Sequence, residues 1–312
     1  MKKVLVLGAG MVAGPLIRYL LQHEFQLTVT SLVIEDAVQL LGGDPNGKAM
    51  TLDLTDDSTL GDLVEQHDLV ISLVPYAFHP MVARHCLAAE KNLITASYVS
   101  DEMMALDAEA KKKDLIFLNE IGLDPGIDHM SAMRIIDDVH DRGGKILHFR
   151  SYCGGLPAPE AVNNPLGYKF SWAPRGVLLA SRNGASYLKD SHCVEVKPER
   201  LFRNMRLLEV PGAGDFEAYP NRDSLMYKDI YKLGAEVLSV FRGTLRNMGW
   251  CDSLYNFGKL GLLDLEPRAS KGMTCADYMR VLLGVDKDVD LRVASAQRMG
   301  VAADCLPPWN LH

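Results

Sequence analysis

The stretch Val4-Leu5-Val6-Leu7-Gly8-Ala9-Gly10-Met11-Val12-Ala13 limits the folds open to this chain more than any other. A short Val-rich apolar run, a Gly-rich turn and an apolar-periodic segment to Gln22 read as strand, turn and helix. Within the turn, Gly8, Gly10 and Ala13 give the G-x-G-x-x-A form of the dinucleotide fingerprint, in the strand–helix context that the motif requires. Gly8 permits the tight turn, Gly10 lets backbone approach a pyrophosphate, and Ala13 is small enough for the helix to pack on the strand. The N–H groups around Met11 and Val12, with the positive end of the helix dipole, then meet the phosphates. A plain glycine turn is the weaker reading in this setting.

Further apolar runs at Thr28–Leu32, Ala49–Leu54, Leu69–Val74, Asn92–Ser97 and Leu115–Asn119 alternate with helical patterns at Asp36–Leu41, Ser58–Gln66, His79–Ala89 and Asp101–Lys112. Such a βαβ rhythm predicts a parallel sheet covered on both faces, wound in right-handed crossovers into a doubly wound α/β (Rossmann) domain. Ligands in these sheets sit past the carboxyl ends of the strands, which directs attention to Gly8–Ala13, Leu32–Asp36, Asp53, Pro75–His79, Ser97–Tyr98 and Asn119–Asp124. Asp53 and Ser97 join Gly8, Gly10, Met11, Val12 and Ala13 as expected cofactor contacts. At the second strand end an acid would hold a ribose 2′-hydroxyl and an Arg a 2′-phosphate, but Leu32 offers neither. Glu35 and Asp36 read rather as first-turn residues of the next helix than as ribose ligands. The expectation is weak discrimination between NAD and NADP, with Arg18 or Lys48 as the substitute clamp should NADP prove strongly preferred. For His79, packing near a helix start is favoured over catalysis. Tyr98 is either core packing or a hydroxyl presented to the cleft.

The segment Asn119-Glu-Ile-Gly-Leu-Asp-Pro-Gly-Ile-Asp-His129 divides the chain. It brings acids and a His onto a loop bent at Gly122 and Gly126 and stiffened by Pro125. An ordinary interdomain turn is the alternative. The division gives residues 1–124 as the nucleotide-binding domain and 125–312 as an α+β substrate-binding domain with a mixed sheet. After a helix at Ser131–His140 and a strand at Lys145–Tyr152, the chain loses regular alternation and turns rich in Gly, Pro, Asn and aromatic residues. Loops as long as Cys153–Gly176 are usually functional. Each Arg downstream, Arg222 and Arg246 among them, taken alone is more often a surface residue than a ligand.

The 312 residues carry a net charge of −7, which disfavours a general nucleic-acid or anionic-membrane partner. An anionic ligand therefore needs a local cationic pocket. Six scattered cysteines form no Cys-x-x-Cys pair and no metal-ligand spacing with His, so free thiols in a reducing cytoplasm and no metal are expected. No apolar run approaches the roughly 18 residues of a membrane helix. The sequence gives no oligomeric state, and a homodimer is one that it allows.

With these segments in hand, the chain resembles the glutamate-forming saccharopine dehydrogenase family. The likeness rests on VLVLGAGMVAGPL, DLVISLVPYAFHP, NEIGLDPGIDHM, SYCGGLPAPEAVNNPLGYKFSWAPRGVLLA, YPNRDS and FRGTLR, and runs from Met1 to about Gly284. The resemblance implies NADP- or NAD-linked interconversion of saccharopine and water with glutamate and 2-aminoadipate 6-semialdehyde in lysine metabolism. It implies Tyr98, Asp124 and Cys153 at the reacting centre, with Asp124 as proton shuttle, and Arg222 with Arg246 on substrate carboxylates. Gly126 is placed with the substrate set, and Lys169 and Arg175 are next in line as cations. Two departures stand out: family members that use the phosphorylated cofactor can carry an Arg where this chain has Leu32, and the family chain is usually longer. The stretch Asp304–His312 looks unlike the family, and shortening there is expected to impair activity. Two other functions compete: a nucleotide-binding protein of this fold without turnover, and a related imine reductase such as carboxynorspermidine dehydrogenase. The SYCGGLPAPE segment disfavours the latter.

Overall fold

The computed structural model describes residues 1–305 and divides them into two compact units, Met1–Asp138 with Ser171–Ala173, and Val139–Phe170 with Pro174 onward. The unlike tail beyond Cys305 lies outside the described residues.

The first unit is built on six parallel strands, β1 (Lys3–Leu7), β2 (Gln26–Ser31), β3 (Gly47–Thr51), β4 (Leu69–Ser72), β5 (Asn92–Thr95) and β6 (Phe117–Leu118). Their order is β3-β2-β1-β4-β5-β6, the doubly wound arrangement that the alternation of strands and helices predicts. The two-residue side-chain period of β1 separates the two cores. Leu5 and Leu7 pack with Leu60, Val70, Val82 and Cys86 on one face, whereas Val4 and Val6 pack with Ala13, Ile17, Val29 and Ala37 on the other. Helices α1 (Ala13–Gln22) and α2 (Ile34–Leu41) cover the second face; α3 (Asp57–Glu65) and α4 (His79–Ala88) cover the first. The expected helix over Asp101–Lys112 is two short helices, α5 (Asp101–Met104) and α6 (Asp107–Lys112). The helix expected from Ser131 begins earlier, as α7 (Ile127–Asp141), directly after Gly126.

The second unit carries a mixed six-stranded sheet. Strands β7 (His148–Cys153), β8 (Ala185–Lys189), β9 (His192–Val196), β10 (Arg206–Val210), β11 (Gly214–Pro220) and β12 (Ser239–Arg246) are all antiparallel where paired, except β7, which runs parallel to β12. The mixed sheet agrees with expectation, but the supposed loss of alternation after Tyr152 does not. The hairpin β8–β9 turns at Asp190 and Ser191, both at positive φ (47° and 67°), which is the backbone of a tight two-residue turn. Helices α8 (Pro174–Ala180), α9 (Tyr227–Ile230), α10 (Trp250–Lys259), α11 (Cys275–Leu283) and α12 (Leu291–Met299) complete this unit. Its core gathers Tyr168, Phe202, Tyr219, Trp250, Cys251 and Leu254. Glu217, buried on β11, accepts from the backbone N–H groups of Gly249 (2.8 Å) and Cys251 (2.7 Å) and so fixes the start of α10 to the sheet. No helix among the described residues is long and apolar enough to cross a membrane.

Candidate active site

At the carboxyl end of β1, Gly8 has φ +103°, and a Cβ there would meet the backbone of Leu73 at 3.2 Å. A side chain is therefore disfavoured twice, by the positive φ and by the tight approach of the neighbouring strand. Nothing lies within 4 Å of the position a Cβ on Gly10 would take. The helix that follows has no side-chain cap and no acid in its first turn; Met11 (61%) and Val12 (50%) are exposed before it, and Ala13 is buried under it. An open cradle at an uncapped helix N-terminus fits the pyrophosphate of a dinucleotide. The other end of that cofactor is matched less well: Leu32, just past β2, is exposed, and Glu35 and Asp36 occupy the first turn of α2.

Two residues expected at the cofactor have their polar atoms engaged within the protein. Asp53 is exposed, and its Oδ1 accepts from the N–H (2.9 Å) and the hydroxyl (2.8 Å) of Thr55. These bonds hold its carboxyl below the ordinary range. Ser97 Oγ lies 2.8 Å from His79 Nε2, and His79 Nδ1 lies 2.9 Å from Ser72 Oγ. His79 is 3% exposed, and burial pushes its pKa from 6.5 down to about 4, so the imidazole is neutral at pH 7. His79 is expected as a packed surface residue or near a helix cap; it is instead buried in the interior, and it ties the end of β4 to the segment that leads into Tyr98.

The hydroxyl of Tyr98 donates to Asp124 Oδ1 at 2.5 Å. This short bond joins the end of β5 to the dividing segment, which is anchored at several further points. Glu120 Oε1 accepts from Val99 N at 2.9 Å, Glu120 Oε2 lies 3.2 Å from His129 Nε2, and Asp128 Oδ1 accepts from Gly126 N at 2.7 Å. The Asp124–Pro125 peptide bond is cis. Gly126, at φ +147°, presses so closely on Gly122 that an added Cβ would stand 2.1 Å from the Gly122 carbonyl oxygen. Its N–H is already given to Asp128, so what the structure shows of Gly126 is a turn residue that shapes the Asp124 loop. Glu120, Asp128 and His129 form a supporting network that the sequence marked only as charged residues in a loop.

Within the second unit, Cys153 ends β7 opposite Thr244 of β12, and a Cβ on the following Gly154 would meet the Leu245 carbonyl oxygen at 2.5 Å. Arg246 lies two residues beyond Thr244 on the same strand. Its side chain is 5% exposed, with the guanidinium carbon 5.0 Å from the ring centre of Tyr168 and 5.2 Å from that of Trp250. Nη1 donates to the Leu245 carbonyl at 2.8 Å, whereas the buried Nε has no hydrogen-bond partner. Arg222 is exposed and follows β11 at the level of Phe241: Asn221 N donates to Arg242 O, and Pro220 pairs with Gly243. Five residues of strand separate that level from Arg246, about 16 Å. The structure thus brings Cys153 and Arg246 to one end of β12 and leaves Arg222 toward the other.

Models of two families match the chain: the saccharopine dehydrogenase NADP binding domain over residues 4–118, and the saccharopine dehydrogenase C-terminal domain over residues 122–298. The chain is 45% identical over 265 residues to the NADP(+), L-glutamate-forming saccharopine dehydrogenase of Pyricularia oryzae, covering 85% of this chain and 59% of that protein. It is 43% identical over 286 residues to the enzyme of the same name from Saccharomyces cerevisiae, covering 91% of this chain and 64% of the yeast protein. Three-dimensionally it is similar to the apo histidine-tagged L-Glu-forming saccharopine dehydrogenase of S. cerevisiae, with a TM-score of 0.82 and 39% identity over 99% of this chain and 68% of that one. The chain spans about three fifths of the length of these curated relatives. With both domain models matched in order and the fold shared, this chain belongs to the saccharopine dehydrogenase family.

Proposed function

We propose that this chain is a glutamate-forming saccharopine dehydrogenase, in which residues 1–124 hold the dinucleotide and residues 125–312 bind the substrate. The observation that carries the reading is the pairing of Tyr98 with Asp124 in the unit that also presents the open Gly8–Ala13 cradle. Saccharopine, water and the oxidised dinucleotide give glutamate, 2-aminoadipate 6-semialdehyde, the reduced dinucleotide and a proton. The bound cofactor, of the NADP type for which the relatives are named, supplies the hydride acceptor.

Asp124 is assigned the proton traffic at the substrate nitrogen. Its carboxylate, oriented by Tyr98, takes a proton as the secondary amine is oxidised to an imine. It then assists addition of water and collapse of the carbinolamine, in which the C–N bond breaks and the proton returns to the departing glutamate nitrogen. Cys153 is assigned to the reacting centre on the family resemblance. Arg246 is assigned a substrate carboxylate because its buried Nε is a donor without a partner, and Arg222 a second one. The competing readings of a nucleotide-binding protein without turnover and of a related imine reductase are not favoured by the relatives. A cytoplasmic location, the lack of a nucleic-acid partner and a homodimer complete the proposal.

The test is absorbance at 340 nm after adding saccharopine with NADP or NAD to the purified protein, alongside an Asp124→Asn variant. Reduced dinucleotide from the parent and a loss of at least a hundredfold in kcat from the variant are expected. A parent that binds dinucleotide but gives no saccharopine-dependent signal would refute the assignment.

A further inference from the structure

The adenosine end of the dinucleotide cradle is built unlike a 2′-phosphate site. β2 ends at Ser31, and the next two side chains, Leu32 (70%) and Val33 (52%), point no donor at the strand end and are largely exposed. Ser31 Oγ already accepts from Val33 N at 3.3 Å. α2 opens with Glu35 and Asp36, both exposed, in its first turn. A 2′-phosphate on the adenosine ribose needs a cation at this strand end, usually a forked guanidinium, and carboxylates beside it oppose the added negative charge.

No Lys or Arg occurs between Arg18 and Lys48. Lys48 is excluded by register: it pairs with Thr28, three residues before Ser31 and about 10 Å along the strand. There it lines a surface depression with Lys3, Gln66 and His67, away from the cradle. Arg18 lies on α1, with Nη1 3.3 Å from the position a Cβ on Gly14 would take, and the Leu40 side chain is equally close to that point. Leu40 belongs to the end of α2 opposite Glu35 and Asp36. The guanidinium of this exposed residue therefore lies over Gly14, near Leu40 at the far end of α2 from Glu35 and Asp36.

We propose that this chain has lost strong selection for the 2′-phosphate, so that NAD serves it about as well as NADP. The proposal rests on the dinucleotide reading of the Gly8–Ala13 turn. Its determinant is Leu32, with Glu35 and Asp36 adding to the effect.

Calorimetric titration of the purified full chain with each dinucleotide tests this. Affinity for NADP is expected to exceed that for NAD by less than tenfold, the equivalent of about 1.4 kcal/mol. Leu32→Arg is expected to shift the ratio at least tenfold toward NADP, and Arg18→Ala to leave it within threefold. A parent preference for NADP of tenfold or more overturns the proposal, as does an unchanged ratio in Leu32→Arg. A tenfold loss of NADP affinity alone in Arg18→Ala also overturns it by making Arg18 the clamp. If neither dinucleotide binds, the reading of the cradle itself falls, and this inference with it.

Discussion

Acidification is expected to weaken the first unit through His79, by an amount that can be worked out. The imidazole is sealed between two serine hydroxyls, and burial lowers its pKa from the ordinary 6.5 to about 4. Above pH 6.5 it is neutral in both folded and unfolded chains, and no stability depends on it. Between 6.5 and 4 the unfolded chain binds a proton that the folded chain does not, so stability falls as pH falls. Below 4 the loss levels off. At pH 5 the imbalance amounts to about 2 kcal/mol relative to pH 7, from the difference in proton binding between the two states. Gln at this position can bridge two hydroxyls without titrating. Urea unfolding of parent and His79→Gln at pH 7 and pH 5 isolates the effect, because every other ionisable group, including His67, whose pKa burial also lowers, is common to both. The parent should lose about 2 kcal/mol more than the variant across that interval. Equal losses would show that His79 already accepts a proton in the folded state and that its burial is not felt.

Gly10→Val should abolish dinucleotide binding with little change in melting temperature, since its Cβ meets open space in the protein and the side chain takes up the room of the phosphates; retained binding on calorimetry would contradict the cradle. Gly126→Ala should cost about 3–5 kcal/mol, from a Gly-only backbone and lost hydrogen bonds around Gly122, and should lower turnover by displacing Asp124; a denaturant midpoint equal to the parent's would contradict it. Arg246→Ala should cost about 2–4 kcal/mol in urea unfolding, because the guanidinium is buried against the packed pair Tyr168 and Trp250. Arg222→Ala, at an exposed site, should stay within about 1 kcal/mol in unfolding experiments and raise the saccharopine KM more than tenfold.

The first half was legible because local sequence decides it: the fingerprint, the Val-rich strands and their spacing each act over a few residues. Strand ends were less so. β6 came out as two residues where Leu115–Asn119 was expected, since the hydrogen bonds that define a strand belong to its neighbour as much as to itself. A mixed second sheet was expected, but its strands after β7 were not located, although Ala185–Lys189 and His192–Val196 both alternate around Asp190-Ser191, a pair whose turn-forming character is readable. β7 was expected as a strand at Lys145–Tyr152, but its parallel pairing with the distant β12 has no local signal. At the site, Asp124 and Tyr98 were named from the resemblance, but their hydrogen bond spans 26 positions and only the fold could show it. The Ser72–His79–Ser97 chain and the burial of Arg246 are likewise products of contacts between distant segments.

Each of the two compact units has one thiol sealed in its own core, Cys86 at 0% exposure in the first and Cys251 at 1% in the second. Burial drives the Cys86 pKa up to about 12 and raises that of Cys251 as well, so neither is a reactive thiolate while its unit is closed. Reaction with a thiol reagent then requires an opening that exposes the surrounding core, and its rate measures how often that opening occurs. Nature has in effect placed a separate stopwatch in each half of the molecule. Mass spectrometry of the two cysteine-containing peptides during slow labelling can time both, with no probe introduced, and tell whether a ligand that quietens one half also quietens the other.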